Sequence, residues 1–380
     1  MIPGLHVLLT ADAVGGVWTY AAELARGLSA RGARVTLAVL GPNPTPSDRA
    51  ALDALQGVTV VETGLPLDWL AANAAEVRAA GRALAGLARD RGADLVHLNS
   101  PALAAEAPFD RPLVATCHSC VRTWWKAVRG DAPLDPDLAW RADLTGLGYA
   151  GADQLLAPSR SFAAATAAAY GLARPPVAVL NGHRPDTASR EALPRDLPAT
   201  VLTAGRLWDE GKNVATFDRA AAALEGRMLA AGPTEGPNGA RVELRHVQAL
   251  GRLSADQLAA HLSARPVFVS PALYEPFGLA VLEAAEAGCA LVLSDIPSFR
   301  ELWDGAALFV PAEDDRRLAA ALSGLLRDPG ARNRLGAAAR ERARRFTADR
   351  MVEGTLDAYR DVLGRPRRPA ALPSGLSLAS

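Results

Sequence analysis

The chain has 380 residues, 41 Lys plus Arg against 41 Asp plus Glu, and 49% apolar residues of which few are aromatic. Balanced charge removes the electrostatic case for nucleic acid as main partner, and the length suits two cores of ordinary domain size better than one. Three cysteines, Cys117, Cys120 and Cys289, are too few to staple a secreted fold, and no apolar run reaches the length of a membrane span, which points to a cytoplasmic protein whose membrane contact is at most peripheral.

Short β-rich runs alternate with Ala/Leu-rich segments of helical period, the pattern of parallel sheets covered on both faces by helices. The first series of strand-like runs is 5–10, 35–40, 58–62, 94–98, 113–116, 154–157 and 177–180. Between the first two, Val17, Ala21, Leu24 and Leu28 recur at helical spacing and give one apolar face. Residues 181–198 crowd Pro, Gly and charges without periodicity, as a linker between domains does. A second series follows at 200–203, 227–231, 242–249, 267–270, 290–293 and 307–310. Ser254 with Gln257 three residues on predicts a capped helix start. The expected layout is an α/β fold of two Rossmann-like domains, 1–182 and 199–345. A terminal helix over 347–363 is expected to return to the first domain, and a Pro/Ser/Gly-rich tail over 364–380 to be disordered.

The strongest chemical signal is the run Tyr274-Glu275-Pro276-Phe277-Gly278-Leu279-Ala280-Val281-Leu282-Glu283, directly after an apolar strand. Pro276 suits a helix start, which would put Glu283 two turns down that helix. Gly278 allows backbone to approach a ligand, and free N–H groups at the helix start can hold an anion such as a diphosphate. A second signal is Gly205-Arg206-Leu207-Trp208-Asp209-Glu210-Gly211-Lys212-Asn213, which puts two cations on one strand-to-helix loop. A third is Asp12-Ala13-Val14-Gly15-Gly16, whose paired glycines permit a tight turn. It is not a Gly-x-Gly-x-x-Gly fingerprint, so a nicotinamide or flavin loses support.

Glu275 and Glu283 around Pro-Phe-Gly, the Gly-Arg-Leu and Lys-Gly-type segment, and the N-terminal glycine pair together resemble glycosyltransferase family 4, a family of GT-B fold with two facing Rossmann-like domains and an interdomain cleft. The resemblance runs from about residue 4 to 362 and includes Leu180-Asn181-Gly182, Leu250-Gly251-Arg252 and Ser294-Asp295-Ile296-Pro297 followed by Glu301. It implies a retaining transferase using a nucleotide-diphosphate sugar, with no metal and no cofactor beyond that co-substrate. By the same resemblance Arg206 and Lys212 hold the diphosphate, Glu275 contacts sugar hydroxyls, Glu283 grips the ribose and His118 lies near the sugar. Gly15, Gly16, Gly205, Leu250, Phe277, Gly278 and Leu279 complete the donor site. UDP, GDP and ADP donors all remain open, since the Leu250 turn reads the base largely through backbone. Asn213 departs from the glycine that commonly follows the lysine, which bears on the shape of that loop.

The segment 121–130 holds Arg122, Trp124, Trp125 and Lys126, a set suited to stacking on a sugar or gripping an anionic acceptor; recognition of a carbohydrate or glycolipid acceptor is the expectation. The alternative is that the tryptophans pin this segment to its own domain. Cys117 and Cys120 form a Cys-x-x-Cys with no second ligand pair, so no metal site is expected. A catalytically silent homologue that binds nucleotide sugar is the competing reading of the whole chain.

Overall fold

The structure, a computed structural model, describes residues 4–184 and 200–365. The first series of elements is β1 (His6–Asp12), α1 (Gly16–Ser29), β2 (Arg34–Leu40), α2 (Pro46–Asp53), β3 (Val58–Glu62), α3 (Ala74–Asp90), β4 (Leu95–Leu98), β5 (Leu113–Thr116), α4 (Val121–Arg129), α5 (Pro136–Gly151), β6 (Gln154–Ala157), α6 (Arg160–Tyr170) and β7 (Val177–Ala178). Its strands pair in parallel in the order β3-β2-β1-β4-β5-β6-β7.

The second series is β8 (Thr200–Ala204), α7 (Val214–Ala221), β9 (Arg227–Ala231), β10 (Gln248–Gly251), α8 (Ala255–Ser263), β11 (Val267–Ser270), α9 (Leu279–Ala287), β12 (Ala290–Ser294), α10 (Pro297–Trp303), β13 (Leu308–Val310), α11 (Asp315–Arg327), α12 (Pro329–Ala343) and α13 (Ala348–Leu363). These strands form a second parallel sheet, β10-β9-β8-β11-β12-β13.

Each sheet is buried on both faces, which is why its strands read as continuous apolar runs. Leu9 joins a cluster with Leu24, Leu37 and Tyr359, while its neighbour Leu8 points to the other face with Leu84 and Leu144. Val201 and Leu202 split in the same way in the second sheet. The last helix, α13, sends Val352, Leu356 and Tyr359 into the first domain's core beside α1. Its approach is close enough that a Cβ on Gly27 would lie 2.3 Å from Val352. Chain segments therefore cross twice between the domains, and they cross side by side: His183 bridges Thr347 in parallel, with His183 N–H on the Phe346 carbonyl at 3.1 Å.

The expected strand over 242–249 is corrected to Gln248–Gly251. Asp218 on α7 accepts the N–H groups of Arg245, His246 and Val247 at 2.9–3.0 Å, and that carboxylate cage bends the chain away from a ladder. The expected linker, 181–198, and the expected tail, 364–380, lie for the most part outside the described residues.

Strand order reverses between β1 and β4 in the first sheet and between β8 and β11 in the second. Loops leaving the carboxyl ends of strands at such a switch point flank a crevice, and all three sequence signals fall on these loops.

Candidate active site

The loop after β8 is held by its own side chains. Asp209, 8% exposed, accepts Arg206 Nη2 at 3.0 Å, Gly211 N–H at 2.9 Å and the Trp124 indole N–H at 3.0 Å. Burial alone would raise this carboxyl, but Arg206, Lys212 and the two N–H donors hold it below the ordinary carboxylate range. Asn213 takes the left-handed conformation, φ +50°, that a glycine there would adopt, and its amide staples the Pro271 and Ala312 carbonyls at 2.9 and 2.7 Å. The departure from glycine thus leaves the turn intact.

The Gly211 carbonyl then accepts the N–H groups of Leu273 and Tyr274 at 2.9 and 3.0 Å, tying this loop to the one after β11. That tie sets Glu275 beside Lys212, and Lys212 Nζ is ion-paired to Glu275 Oε2. Ser298 Oγ donates to the Glu275 carbonyl at 2.5 Å and fixes the backbone from the other side.

Two helix starts meet across the cleft. On the second domain, α9 begins at Leu279 rather than at Pro276, because Gly278 turns into φ +92° and ends the extended segment. Glu283 consequently lies about one turn into the helix, not two. On the first domain, α1 begins after Gly15 at φ +101°. Neither helix has a side-chain cap or an acidic residue in its first turn. A Cβ on Gly16 would lie 3.3 Å from Leu279, so the two starts are in contact, and Arg252 reaches over to the Ala13 carbonyl at 3.4 Å. Two uncapped, positively polarised helix ends thus face one crevice beside Arg206 and Lys212, which are paired to Asp209 and Glu275, and their free N–H groups can hold an anion. Gly205, at φ +151°, starts the same wall.

Further down α9, Glu283 has no hydrogen-bond partner among the described residues, and burial pushes its carboxyl up from the ordinary range. Its neighbour Glu286 is taken by His183 Nδ1 at 2.8 Å. Leu250 precedes Gly251, whose carbonyl is bound by Gly232 N–H at 2.8 Å, so β10 ends in a backbone-lined turn. Phe277 is a correction: its side chain is 3% exposed and packs edge-on against Phe346 in the domain core, leaving only its backbone for the cleft.

His118, just after β5, bonds through Nε2 to Asn99 Oδ1 at 2.9 Å and lies edge-on to Tyr20 at 4.5 Å. Asn99 Nδ2 donates to the Thr10 carbonyl, so its oxygen faces the histidine; Nε2 therefore carries the proton and Nδ1 the lone pair. Burial lowers this imidazole to about 3 and keeps it neutral. Asp12, at the end of β1, is raised to about 6, by burial first and by nearby Asp68 in part.

The tryptophan-rich segment is a helix, α4, and its two tryptophans part company. Trp124 turns to the second domain, where its indole binds Asp209 and packs on Gly211, while Arg129 pairs with Glu210 at 2.6 Å. Trp125 instead lines a cavity of about 640 Å³ together with Arg122, Lys126, Phe162, Tyr274 and Glu275. Tyr274 joins the domains, its hydroxyl accepting Cys120 N–H at 3.2 Å and lying 2.8 Å from Thr123 Oγ. Arg122 and Lys126 carry ion pairs to Asp143 and Asp131. Cys117 bonds to the Tyr149 hydroxyl at 2.7 Å.

Asp209, Asn99 and Asp68 were not singled out by sequence. Asp209 stands inside the cationic loop and could have been found there as its counter-charge. Asn99 and Asp68 had no such signal, since each acts through partners tens of residues away, Thr10 and Ser100 respectively.

Two facing parallel-sheet domains, with loops from both switch points closing on one cleft, define a GT-B fold of the glycosyltransferase type. The family profile described as Glycosyltransferase Family 4 matches residues 14–185, and that described as Glycosyl transferases group 1 matches 198–328. A D-inositol 3-phosphate glycosyltransferase of Xylanimonas cellulosilytica is 30% identical over 411 residues, covering 95% of this chain and 94% of its own. An alpha-maltose-1-phosphate synthase of Mycobacterium tuberculosis is 38% identical over 120 residues, but only 29% of this chain and 31% of that protein are matched. Among solved structures, sucrose-phosphate synthase from Thermosynechococcus elongatus superposes with a TM-score of 0.79 at 22% identity, covering 94% of this chain and 99% of that one. Anabaena HepE in complex with UDP-glucose gives 0.71 at 18% identity, covering 94% and 100%. The chain belongs to glycosyltransferase family 4.

No described helix is long and apolar enough to cross a membrane.

Proposed function

We propose that this protein moves a hexose from a nucleoside-diphosphate sugar to a carbohydrate or glycolipid acceptor with retention of anomeric configuration. The observation that carries the reading is the convergence of Arg206, Lys212 and two uncapped helix starts, those of α1 and α9, on one crevice. Such a site favours a group whose negative charge grows as a bond breaks. The UDP-glucose in the HepE complex supports a nucleotide sugar here, as does the transferase name of the Xylanimonas relative.

In this reading the donor lies along the second domain. Glu283, left without a protein partner, takes the ribose diol, and the Leu250–Gly251 backbone frames the base. Glu275 takes sugar hydroxyls, its carboxylate oriented by Lys212. As the bond from the anomeric carbon to the β-phosphate oxygen breaks, Lys212, Arg206 and the amides at the start of α9 absorb the charge. The departing phosphate oxygen takes the acceptor's hydroxyl proton, and the acceptor oxygen bonds to the anomeric carbon on the same face. No enzyme carboxylate acts as base and no cofactor beyond the nucleotide sugar is assigned. His118, neutral, offers its Nδ1 lone pair to a sugar hydroxyl. The cavity lined by Trp125, Arg122, Lys126 and Glu275 receives the acceptor, and its mostly apolar wall of alanines, Phe162 and Pro297 favours one with an apolar part.

The test is direct. Purified protein is titrated with UDP-, GDP- and ADP-glucose, and turnover with simple and alkyl glycosides is followed by NMR of the anomeric proton. An α-linked product from an α-linked donor supports the reading; a β-linked product overturns retention. Donor binding without product from any acceptor selects the silent homologue.

A further inference from the structure

A second cavity, of about 400 Å³, shares no lining residue with the first and lies where the two crossover segments run side by side. Four arginines line it. Arg160 is the first residue of α6 on the first domain, Arg342 sits in the last turn of α12 on the second with Arg345 just past its C-cap, and Arg350 sits in the first turn of α13. Nearby arginines on the second domain are paired with acids, Arg300 with Asp295 and Arg344 with Glu341. Among the described residues, none of these four has a carboxylate within ion-pair distance. The guanidinium groups of Arg160 and Arg345 have no hydrogen-bond partner at all there, while Arg342 and Arg350 donate only to backbone carbonyls.

The one acid in the cavity wall is Glu301, and it is spent: its two oxygens accept the N–H groups of Arg160 and Ser161 at 2.9 and 2.7 Å. Four cations against one committed carboxylate repel one another, and the constellation is relieved by a bound anion. Planar guanidinium forks match the paired oxygens of a phosphate better than they match a halide. The volume suits a molecule the size of a phosphorylated sugar.

We propose that this cavity is a second ligand site, separate from the donor crevice, that recognises a phosphate monoester. Because its arginines come from the first domain, the second domain and the returning helix, the occupant ties the domains together at their crossover. This proposal stands without the donor reading, since it shares no residue with the cleft.

The experiment uses the full chain and inorganic phosphate as probe, with sodium chloride at matched ionic strength as the control. Melting temperature and calorimetric binding are compared for wild type, Arg160→Gln, Arg345→Gln and the double variant. Both side chains are exposed and unpartnered, so the variants keep the fold. The expected result is a phosphate-specific rise in melting temperature and an affinity about tenfold weaker or more in the double variant. Lys212→Met, which empties a cation from the donor crevice, should leave this response in place. A response abolished by Lys212→Met and kept in the double variant puts the anion in the crevice and overturns the proposal, as does a response equal to that of chloride. Flotation with phosphatidylcholine vesicles carrying phosphatidic acid separates the sources of the phosphate. Arginine-dependent flotation assigns a lipid headgroup, and a response to free phosphate without flotation assigns a soluble phosphomonoester.

Discussion

Lys212 and Glu275 form an ion pair between the loops that leave β8 and β11, the two strands at which the second sheet reverses its order. The pair is three-quarters or more buried on both sides, and the Gly211 carbonyl fixes its spacing through the N–H groups of Leu273 and Tyr274. Without a donor, each charge is the other's main partner. In the proposed reading, an arriving diphosphate gives Lys212 a second anion and leaves Glu275 to face hydroxyl groups. Replacing Lys212 by Met removes the cation while keeping the stem, and is expected to lower kcat/KM by about a hundredfold or more, since a lost charge-stabilising donor typically has that effect. Glu275→Gln should lower it too, with less effect on nucleotide binding. Steady-state rates over a donor series check this, and K212M activity within a few fold of wild type would falsify the leaving-group role.

Glu283 couples stability and binding in opposite directions. Burial raises its folded-state carboxyl above the unfolded value, with His183 offsetting part of the effect and Glu286 adding to it. The sign follows: the protonated form favours folding below the unfolded pKa, and that advantage is lost as pH rises through the folded pKa. At neutral pH the ionised group therefore costs stability. Glu283→Gln is expected to raise the melting temperature of the free protein at pH 7 while weakening nucleotide binding about tenfold, the scale of hydrogen bonds to a charged group. Scanning calorimetry and nucleotide titration read the two effects separately. A variant that loses both stability and affinity would show Glu283 to be a structural carboxylate.

The two tryptophans of α4 should separate donor from acceptor effects. Trp124→Phe removes the indole N–H from Asp209 while keeping most of the ring. It leaves a buried carboxylate short of one donor, at about 1–3 kcal/mol. Because Asp209 also positions Arg206, the donor's KM is expected to rise. Trp125→Ala opens the wall of the neighbouring cavity and should raise the acceptor's KM alone. Matching effects of the two variants on both substrates would refute the division.

Neutral histidines give the protein an acid limb. His97, with Nδ1 on the Tyr359 hydroxyl and Nε2 on Thr116 Oγ, and His118 are both lowered to about 3, chiefly by burial. The unfolded chain takes up these protons near pH 6.5 and the folded chain does not. Their stabilising contribution is thus complete above about pH 6.5 and declines as pH falls toward 3, by up to about 1.4 kcal/mol per pH unit for each. Denaturant titrations at pH 4–8 on wild type and His118→Asn should show a shallower acid slope in the variant. Equal slopes would mean that His118 is protonated in the folded state.

Buried parallel strands were legible because both their faces are apolar, and the motif loops because they follow those strands. Less legible were features made by one side chain acting at a distance. Asp218 unmade the strand expected at 242–249, the positive φ of Gly278 moved the start of α9, and Phe346 drew Phe277 into the core. Contacts between the two domains were invisible for the same reason. Trp124 with Asp209, Ser159 with the Pro276 carbonyl and Arg160 with Glu301 join residues 85 to 141 positions apart, and no local period records them.

Gly232 tests the shape of the proposed donor wall without touching a charged group. It follows β9 at φ +138°, a backbone conformation L side chains rarely adopt, and a Cβ there would lie 1.8 Å from the Gly205 carbonyl oxygen. Since that oxygen is backbone, an added methyl displaces either the start of the Arg206 loop or the Gly251 turn that Gly232 N–H holds. Gly232→Ala is expected to cost about 2–4 kcal/mol, strain and overpacking together, and to weaken nucleotide binding. Gly239 is the control: it too has positive φ, +80°, but an added Cβ meets nothing within 4 Å. Gly239→Ala should cost only about 1 kcal/mol and leave binding unchanged. If the two variants lose equal stability and neither alters nucleotide affinity, the close backbone approach at Gly205 does not shape the donor crevice.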